Sequence, residues 1–185
     1  SVKELRGATL GVIGYGSIGQ ATARLARAYG MRIVALRRNP APEPDVDQMF
    51  GTDQVGELMQ QSDYVVVAMA LTEQTRHMVR AEHFAQAKPG QVFINVGRGP
   101  LLDENALISA LQDGPLAAAA LDVFTVEPLP KDSPLWDMPN VLISPHNADL
   151  TEDSRFSSVK FFTENVQHFL ERKELECVVD KTAGY

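Results

Sequence analysis

The chain reads as an open, doubly wound α/β domain, a mostly parallel sheet with helices on both faces, and three observations carry that reading. Short apolar runs alternate with amphipathic segments about six times along the 185 residues. The runs are apolar on both faces, most plainly YVVVAM at 64–69, as strands of a sheet covered on both sides are. The first run ends in a glycine-rich turn that opens a helix.

Each element follows from local pattern. Thr9–Ile13 is an apolar strand ending at a glycine. Residues 17–29 form a helix with Ile18, Ala21, Leu25 and Ala28 along one side, and Gly30 stops it. Residues 31–36 are the second strand, and 39–47, with three of the eleven prolines, are loop. A short helix spans Val55–Gln61 and the third strand spans 64–69. Short helices are expected over 72–79 and 81–87. The fourth strand, Gln91–Asn95, ends in the turn Gly97-Arg98-Gly99-Pro100. Residues 103–112 are helical, capped by Asp103 and stopped near Gly114. An alanine-rich fifth strand covers 116–123, a proline-rich loop 128–139, and a sixth strand 140–144. The longest helix, 151–172, carries Phe156, Phe161, Phe162, Val166 and Phe169 as expected buried anchors, and Trp136 is expected in core or interface. There is no internal repeat, low-complexity tract or interdomain linker.

Composition narrows the function. Hydrophobic residues make up 44% and charged residues 22%, the balance of a globular domain. A net charge of −7 without a basic block argues against nucleic-acid binding. No apolar run approaches the roughly 18–20 residues of a membrane span, and the opening SVKELRGATLG has no signal-peptide pattern. A single cysteine, Cys177, rules out an intramolecular disulfide and a multi-cysteine zinc site, so no metal is expected. A reducing, cytoplasmic compartment is consistent with this.

The glycine-rich turn is Gly14-Tyr15-Gly16-Ser17-Ile18-Gly19. In a strand–turn–helix context this is the dinucleotide-binding fingerprint of the Rossmann fold. Gly14 makes the turn, Gly16 lets the backbone approach a pyrophosphate, and Gly19 packs helix on strand. The N–H groups of Ser17 and Ile18 face the phosphates at the positive end of the helix. The second strand ends in Arg37-Arg38, with no acid until Glu43. An acid there would accept from an adenosine ribose, whereas arginine pairs with a 2′-phosphate. Two unit charges about 4 Å apart interact by about 4 kcal/mol at a surface-like dielectric. After desolvation and screening, ten- to hundredfold discrimination for NADPH over NADH is expected, with NAD still usable.

Three more segments carry specific residues: Asn95-Val96-Gly97-Arg98-Gly99; Leu121-Asp122-Val123-Phe124 followed by Glu127-Pro128; and Ser144-Pro145-His146-Asn147-Ala148. In this order, with 24 residues from Arg98 to Asp122 and five from Asp122 to Glu127, the chain resembles the D-isomer-specific 2-hydroxyacid dehydrogenases. That family includes glyoxylate/hydroxypyruvate reductases and phosphoglycerate dehydrogenases. The resemblance implies that Arg98 binds the substrate carboxylate and 2-oxo group, that His146 exchanges the proton, and that Glu127 orients His146. It implies that Asp122 holds the nicotinamide carboxamide and Thr75 contacts cofactor. Met69, Ala70, Val96, Gly97, Arg98 and His146 then line the ribose and nicotinamide. The chemistry agrees: histidine gives and takes protons near neutrality, and a guanidinium offers a planar fork to a carboxylate. His77, His83 and His168 fall on predicted helices and are given no role. Ala70 departs from the family's usual proline, Asp149 from its glycine, and Arg37 from its aspartate.

The resemblance also implies a second, flavodoxin-like substrate domain, largely absent from this chain. Residues 1–173 are expected as the NAD(P)-binding domain and 174–185 as a tail returning to that substrate domain. The expected activity is hydride transfer between NADP(H) and a small 2-oxo or 2-hydroxy acid. The chain alone is expected to bind cofactor and turn over poorly, and to form a homodimer. The alternative is a non-enzymatic, dinucleotide-sensing interaction protein of the corepressor type.

Overall fold

The computed structural model describes residues 4–182. Its elements in chain order are β1 (Thr9–Ile13), α1 (Ser17–Ala28), β2 (Arg32–Leu36), β3 (Gln48–Phe50), α2 (Val55–Gln61) and β4 (Tyr64–Val67). They continue as α3 (Ala81–Phe84), β5 (Gln91–Asn95), α4 (Glu104–Gln112), β6 (Leu116–Leu121), β7 (Val141–Ile143) and α5 (Ser154–Leu170). Short 3₁₀ turns lie at Gly99–Leu101 and Pro134–Asp137. The strands form one seven-stranded sheet in the order β3-β2-β1-β4-β5-β6-β7, with every pair parallel. Strand order reverses at β1, which pairs with β2 on one side and β4 on the other. The crevice beyond the carboxyl ends of these two halves is where open α/β sheets bind ligands.

Alternation along each strand explains the two-sided burial. Ile13, Val65 and Val67 point into one core, with Leu58 of α2, Phe84 of α3 and Leu107 of α4. Their neighbours Val12 and Val66 point into the other, with Ala23 and Ala26 of α1. A strand buried on both faces has no polar position to spare, so its sequence is a continuous apolar run. Asp103 caps α4 by accepting from the Ala106 N–H at 3.1 Å.

The structure corrects several expectations. The buried stripe of α1 is Gly19, Ala23 and Ala26, while Ile18 and Leu25 are exposed. Close approach of helix to sheet decides this: a Cβ on Gly19 would collide with the Gly14 carbonyl oxygen. The expected helix over 72–79 is a series of turns. There the Thr75 hydroxyl donates to the Ala70 carbonyl at 2.8 Å and accepts from the Thr72 N–H at 2.7 Å, a local side-chain alternative to helical bonds. His77 therefore lies in a turn, at φ 50°. The short edge strand β3 was not expected, because three residues carry too little periodicity to read. Trp136 is exposed, with its Nε1 donating to the Pro130 carbonyl.

The chain divides into two compact units, residues 1–146 and 147–185. The division falls before α5, earlier than position 173. In the second unit the Asn165 side chain accepts from the Glu176 N–H at 2.8 Å. The expected anchors of α5 are exposed there, Phe156 at 78%, Phe162 at 68% and Phe169 at 70%. Their periodicity marks an apolar stripe but names nothing that covers it. Among the described residues no helix is long and apolar enough to cross a membrane.

Candidate active site

The residues singled out from sequence in the first unit gather just past the carboxyl ends of the strands. At β1, Gly14 has φ +101°, and its N–H donates to the Leu36 carbonyl at 3.0 Å, tying the turn to β2. A Cβ on Gly14 would lie 2.5 Å from Met69 Cβ and 2.8 Å from the Ala68 oxygen. The loop after β4 thus presses on the turn and places Ala68 and Met69 beside it. Gly16 caps α1 without any side-chain hydrogen bond, and Gly16, Ser17 and Ile18 are exposed. A Cβ on Gly16 would meet nothing within 4 Å. An uncapped helix start facing an open space is the cradle that a dinucleotide pyrophosphate requires, so the residues present fit such a group.

The loop after β5 is built by a buried amide. The Asn95 side chain accepts from the Gly97 N–H and donates to the Arg98 carbonyl, both at 3.1 Å. Arg98 Nη1 donates to the Gly97 carbonyl at 2.7 Å. The next residue, Gly99, packs so closely on the Phe124 carbonyl that any Cβ would collide with it. This contact sets the Arg98 loop against the loop that follows β6.

That second loop carries the acid. The Phe124 N–H donates to Glu127 Oε1 at 3.0 Å, and Glu127 Oε2 meets His146 Nδ1 at 2.7 Å. The Thr125 N–H donates to Glu104 Oε2 at 2.9 Å, which ties the loop to the first turn of α4. His146 sits just past β7 with φ 52°, a left-handed conformation that costs a non-glycine residue energy and persists where the surroundings hold it. Phe124, Leu129, Trp136 and Ile143 share with Glu127 and His146 the wall of a cavity of about 420 Å³. At the end of β6, Asp122 is buried, and its Oδ1 accepts from the Ser144 hydroxyl. Arg37, just past β2, is half-buried, and Arg38 beside it is exposed.

Burial would raise the Glu127 carboxyl. The Phe124 N–H, the His146 hydrogen bond and the positive charges of His146 and Arg98 outweigh it and hold the group below the ordinary glutamate value. A carboxyl depressed on folding stabilises the fold above its unfolded value and loses that contribution as pH falls through the folded one. Glu127→Gln is therefore expected to lower the melting temperature near neutrality. The gap from the parent should close as pH drops below about 4.5, the ordinary glutamate value. A gap that stays constant down to pH 3 in thermal unfolding would exclude this role.

Sequence reading missed the partners that place these groups. Asn95, Ser144 and the Phe124 N–H are ordinary in sequence, and only strand pairing brings them to the site. All three stand inside the motif segments quoted above, which was their one signal, but nothing along the chain paired them with a partner.

A parallel sheet with an open glycine cradle at its switch point, and a glutamate–histidine pair beside an arginine loop, defines the class: a dinucleotide-binding α/β domain. Comparison with known proteins takes this one step further. The family model for the D-isomer specific 2-hydroxyacid dehydrogenase NAD binding domain matches residues 1–148, and the chain belongs to that family. It is 40% identical over 179 residues to glyoxylate/hydroxypyruvate reductase B of Citrobacter koseri, covering 95% of this chain and 55% of that protein. The chain thus spans about half the length of the curated relatives it matches. Among solved structures, an NADPH complex of a D-isomer specific 2-hydroxyacid dehydrogenase from Xanthobacter autotrophicus superposes with a TM-score of 0.88 at 37% identity, over 96% of this chain and 73% of that one. An NADPH-dependent glyoxylate/hydroxypyruvate reductase from Sinorhizobium meliloti, in complex with NADP and sulfate, gives 0.91 at 33% identity, over 100% of this chain and 59% of that one.

Proposed function

We propose that this chain is the cofactor-binding domain of an NADP(H)-dependent reductase of small 2-oxo acids, which interconverts them with D-2-hydroxy acids. The observation that carries the proposal is the 2.7 Å contact between Glu127 and His146, with the Arg98 charge felt at the same carboxylate. Glu127 holds Nδ1, which fixes the ring and leaves Nε2 to face substrate. Arg98 pairs with the substrate carboxylate and polarises the 2-oxo oxygen as charge develops on it. His146 delivers a proton to that oxygen, or takes it back in the oxidative direction. When bound, the nicotinamide supplies the hydride chemistry.

The cofactor would be held by Gly14, Gly16, Gly19 and the N–H groups of Ser17 and Ile18 at its pyrophosphate, and by Arg37 and Arg38 at a 2′-phosphate. Asp122, oriented by Ser144, would hold the carboxamide. Met69, Ala70, Thr75, Val96, Gly97, Arg98 and His146 would line the remainder. The named relatives are reductases and dehydrogenases, two of them with NADPH or NADP bound, which supports this reading. No observation favours the non-enzymatic sensing alternative. The proposal includes a homodimer, a cytoplasmic setting, and a boundary at residue 173 beyond which the tail joins a substrate domain.

Calorimetric titration of the chain with NADPH and NADH at one salt concentration tests it. NADPH is expected to bind about ten- to a hundredfold more tightly, and Arg37→Asp is expected to reverse the order, since the new carboxylate repels a phosphate and accepts from a ribose hydroxyl. An unchanged ratio in that variant would remove Arg37 from the cofactor site.

A further inference from the structure

The end of β2 lacks a carboxylate in sequence, yet the fold supplies one. Arg37 Nη1 pairs with Glu43 Oε1 at 2.7 Å, and Arg37 Nε donates to the Asn39 carbonyl at 2.9 Å. The two side chains are 26% and 28% exposed, so the pair is half-buried and its geometry is constrained from several sides. Pro40, Pro42 and Pro44 stiffen the connecting loop by restricting φ, and the Val46 N–H donates to the Glu43 carbonyl at 3.1 Å. The loop therefore presents Glu43 to the guanidinium instead of leaving it in solvent. The Glu43 charge is also felt at the glycine-rich turn. The Tyr15 phenol, between Gly14 and Gly16, is pushed up by burial and then by Asp45 and Glu43, with Arg24 and Arg37 opposing.

We propose that Glu43 is a specificity-determining residue of the cofactor site, which competes with a 2′-phosphate for Arg37 and offers the carboxylate that an unphosphorylated ribose hydroxyl would donate to. The inference rests on the reading of the β2 end as the subsite for the adenosine ribose. Any anion that pairs with the Arg37 guanidinium comes within a few ångströms of the Glu43 carboxylate, since the two are in contact. The phosphate must then displace an existing ion pair or bear its repulsion, whereas a neutral hydroxyl bears neither and gains an acceptor. Arginine and glutamate at one subsite thus pull in opposite directions, and the site accepts both cofactors with the NADPH preference held down by Glu43. Were Glu43 only a brace that positions Arg37, its removal would weaken NADPH binding, so the sign of the effect separates the two roles.

The experiment is a calorimetric titration of the full 185-residue chain with NADPH and with NADH at fixed salt, for the parent, Glu43→Gln and Arg37→Ala. Glutamine keeps the size and one acceptor oxygen and removes the charge. Glu43→Gln is expected to raise the ratio of NADPH to NADH affinity about tenfold, and Arg37→Ala to collapse it. If Arg37→Ala collapses the ratio while Glu43→Gln leaves it unchanged or lowers it, the role of Glu43 is overturned and the subsite reading stands. If Arg37→Ala leaves the ratio unchanged, or the parent binds neither cofactor, the subsite reading falls and the role of Glu43 with it.

Discussion

Replacement of His146 by asparagine is expected to lower kcat for 2-oxo-acid reduction by about 10²- to 10⁴-fold in the complete subunit, the usual worth of a positioned proton donor. Asparagine is the informative choice. The backbone at His146 is left-handed, with φ 52°, and asparagine tolerates that region better than alanine does. The variant thus removes the imidazole without adding backbone strain to the loss. It also leaves Glu127 its Phe124 N–H at 3.0 Å, so the acid stays in place without its histidine. Steady-state kinetics separate the roles: a donor used in the transition state moves kcat much more than KM. A loss below tenfold would mean that the proton comes from elsewhere and that the 2.7 Å contact with Glu127 is structural.

The second large effect contrasts two glycines three residues apart. A Cβ on Gly16 meets nothing within 4 Å, whereas one on Gly19 collides with the Gly14 carbonyl oxygen and reaches 3.0 Å from Val12 Cγ1. Gly16→Ala is expected to fold within about 1 kcal/mol of the parent, because alanine narrows the unfolded ensemble by about 0.4–1 kcal/mol while fitting a helix N-cap less well than glycine. Its methyl group would enter the open space proposed as the pyrophosphate cradle. Overpacking of about 1–3 kcal/mol there corresponds to a roughly 5- to 150-fold loss of affinity. Gly19→Ala is expected to lose about 1–3 kcal/mol or more of stability, because the obstacle is backbone that cannot rotate away. Thermal unfolding together with calorimetry reads both arms. Parent-like cofactor affinity in Gly16→Ala would show that the open space before α1 is not the cofactor cradle.

The contrast shows how legibility was distributed. The glycine pattern announced a turn and a close helix, and both are present. It did not say which face of α1 is buried. Ile18 and Leu25 suggested an ordinary apolar stripe, but contact with the sheet at Gly19 admits only Ala23 and Ala26 further along, and leaves the larger residues outside. At 72–79 the residues suited a helix, and the Thr75 hydroxyl took local hydrogen bonds instead. In α5 the period of the phenylalanines was readable while their surroundings were not, and in the structure they are exposed.

Local pattern was sufficient for the parallel sheet, and the resemblance to a known family singled out most of the candidate site residues. A two-sided strand must be continuously apolar, and the loops at strand ends carry the motif residues. Contacts were a different matter. Glu127 and His146 are 19 residues apart and meet only because β6 and β7 pair in parallel and end together. Ser144 reaches Asp122 for the same reason. The Arg37-Arg38 pair has no acid beside it in sequence until Glu43, and the proline-stiffened loop brings Glu43 onto Arg37. Residue types and periods are properties of neighbours along the chain, so sequence alone determined the fold class and the chemical inventory. Which groups touch depends on strand order and loop return, and that was decided by tertiary packing.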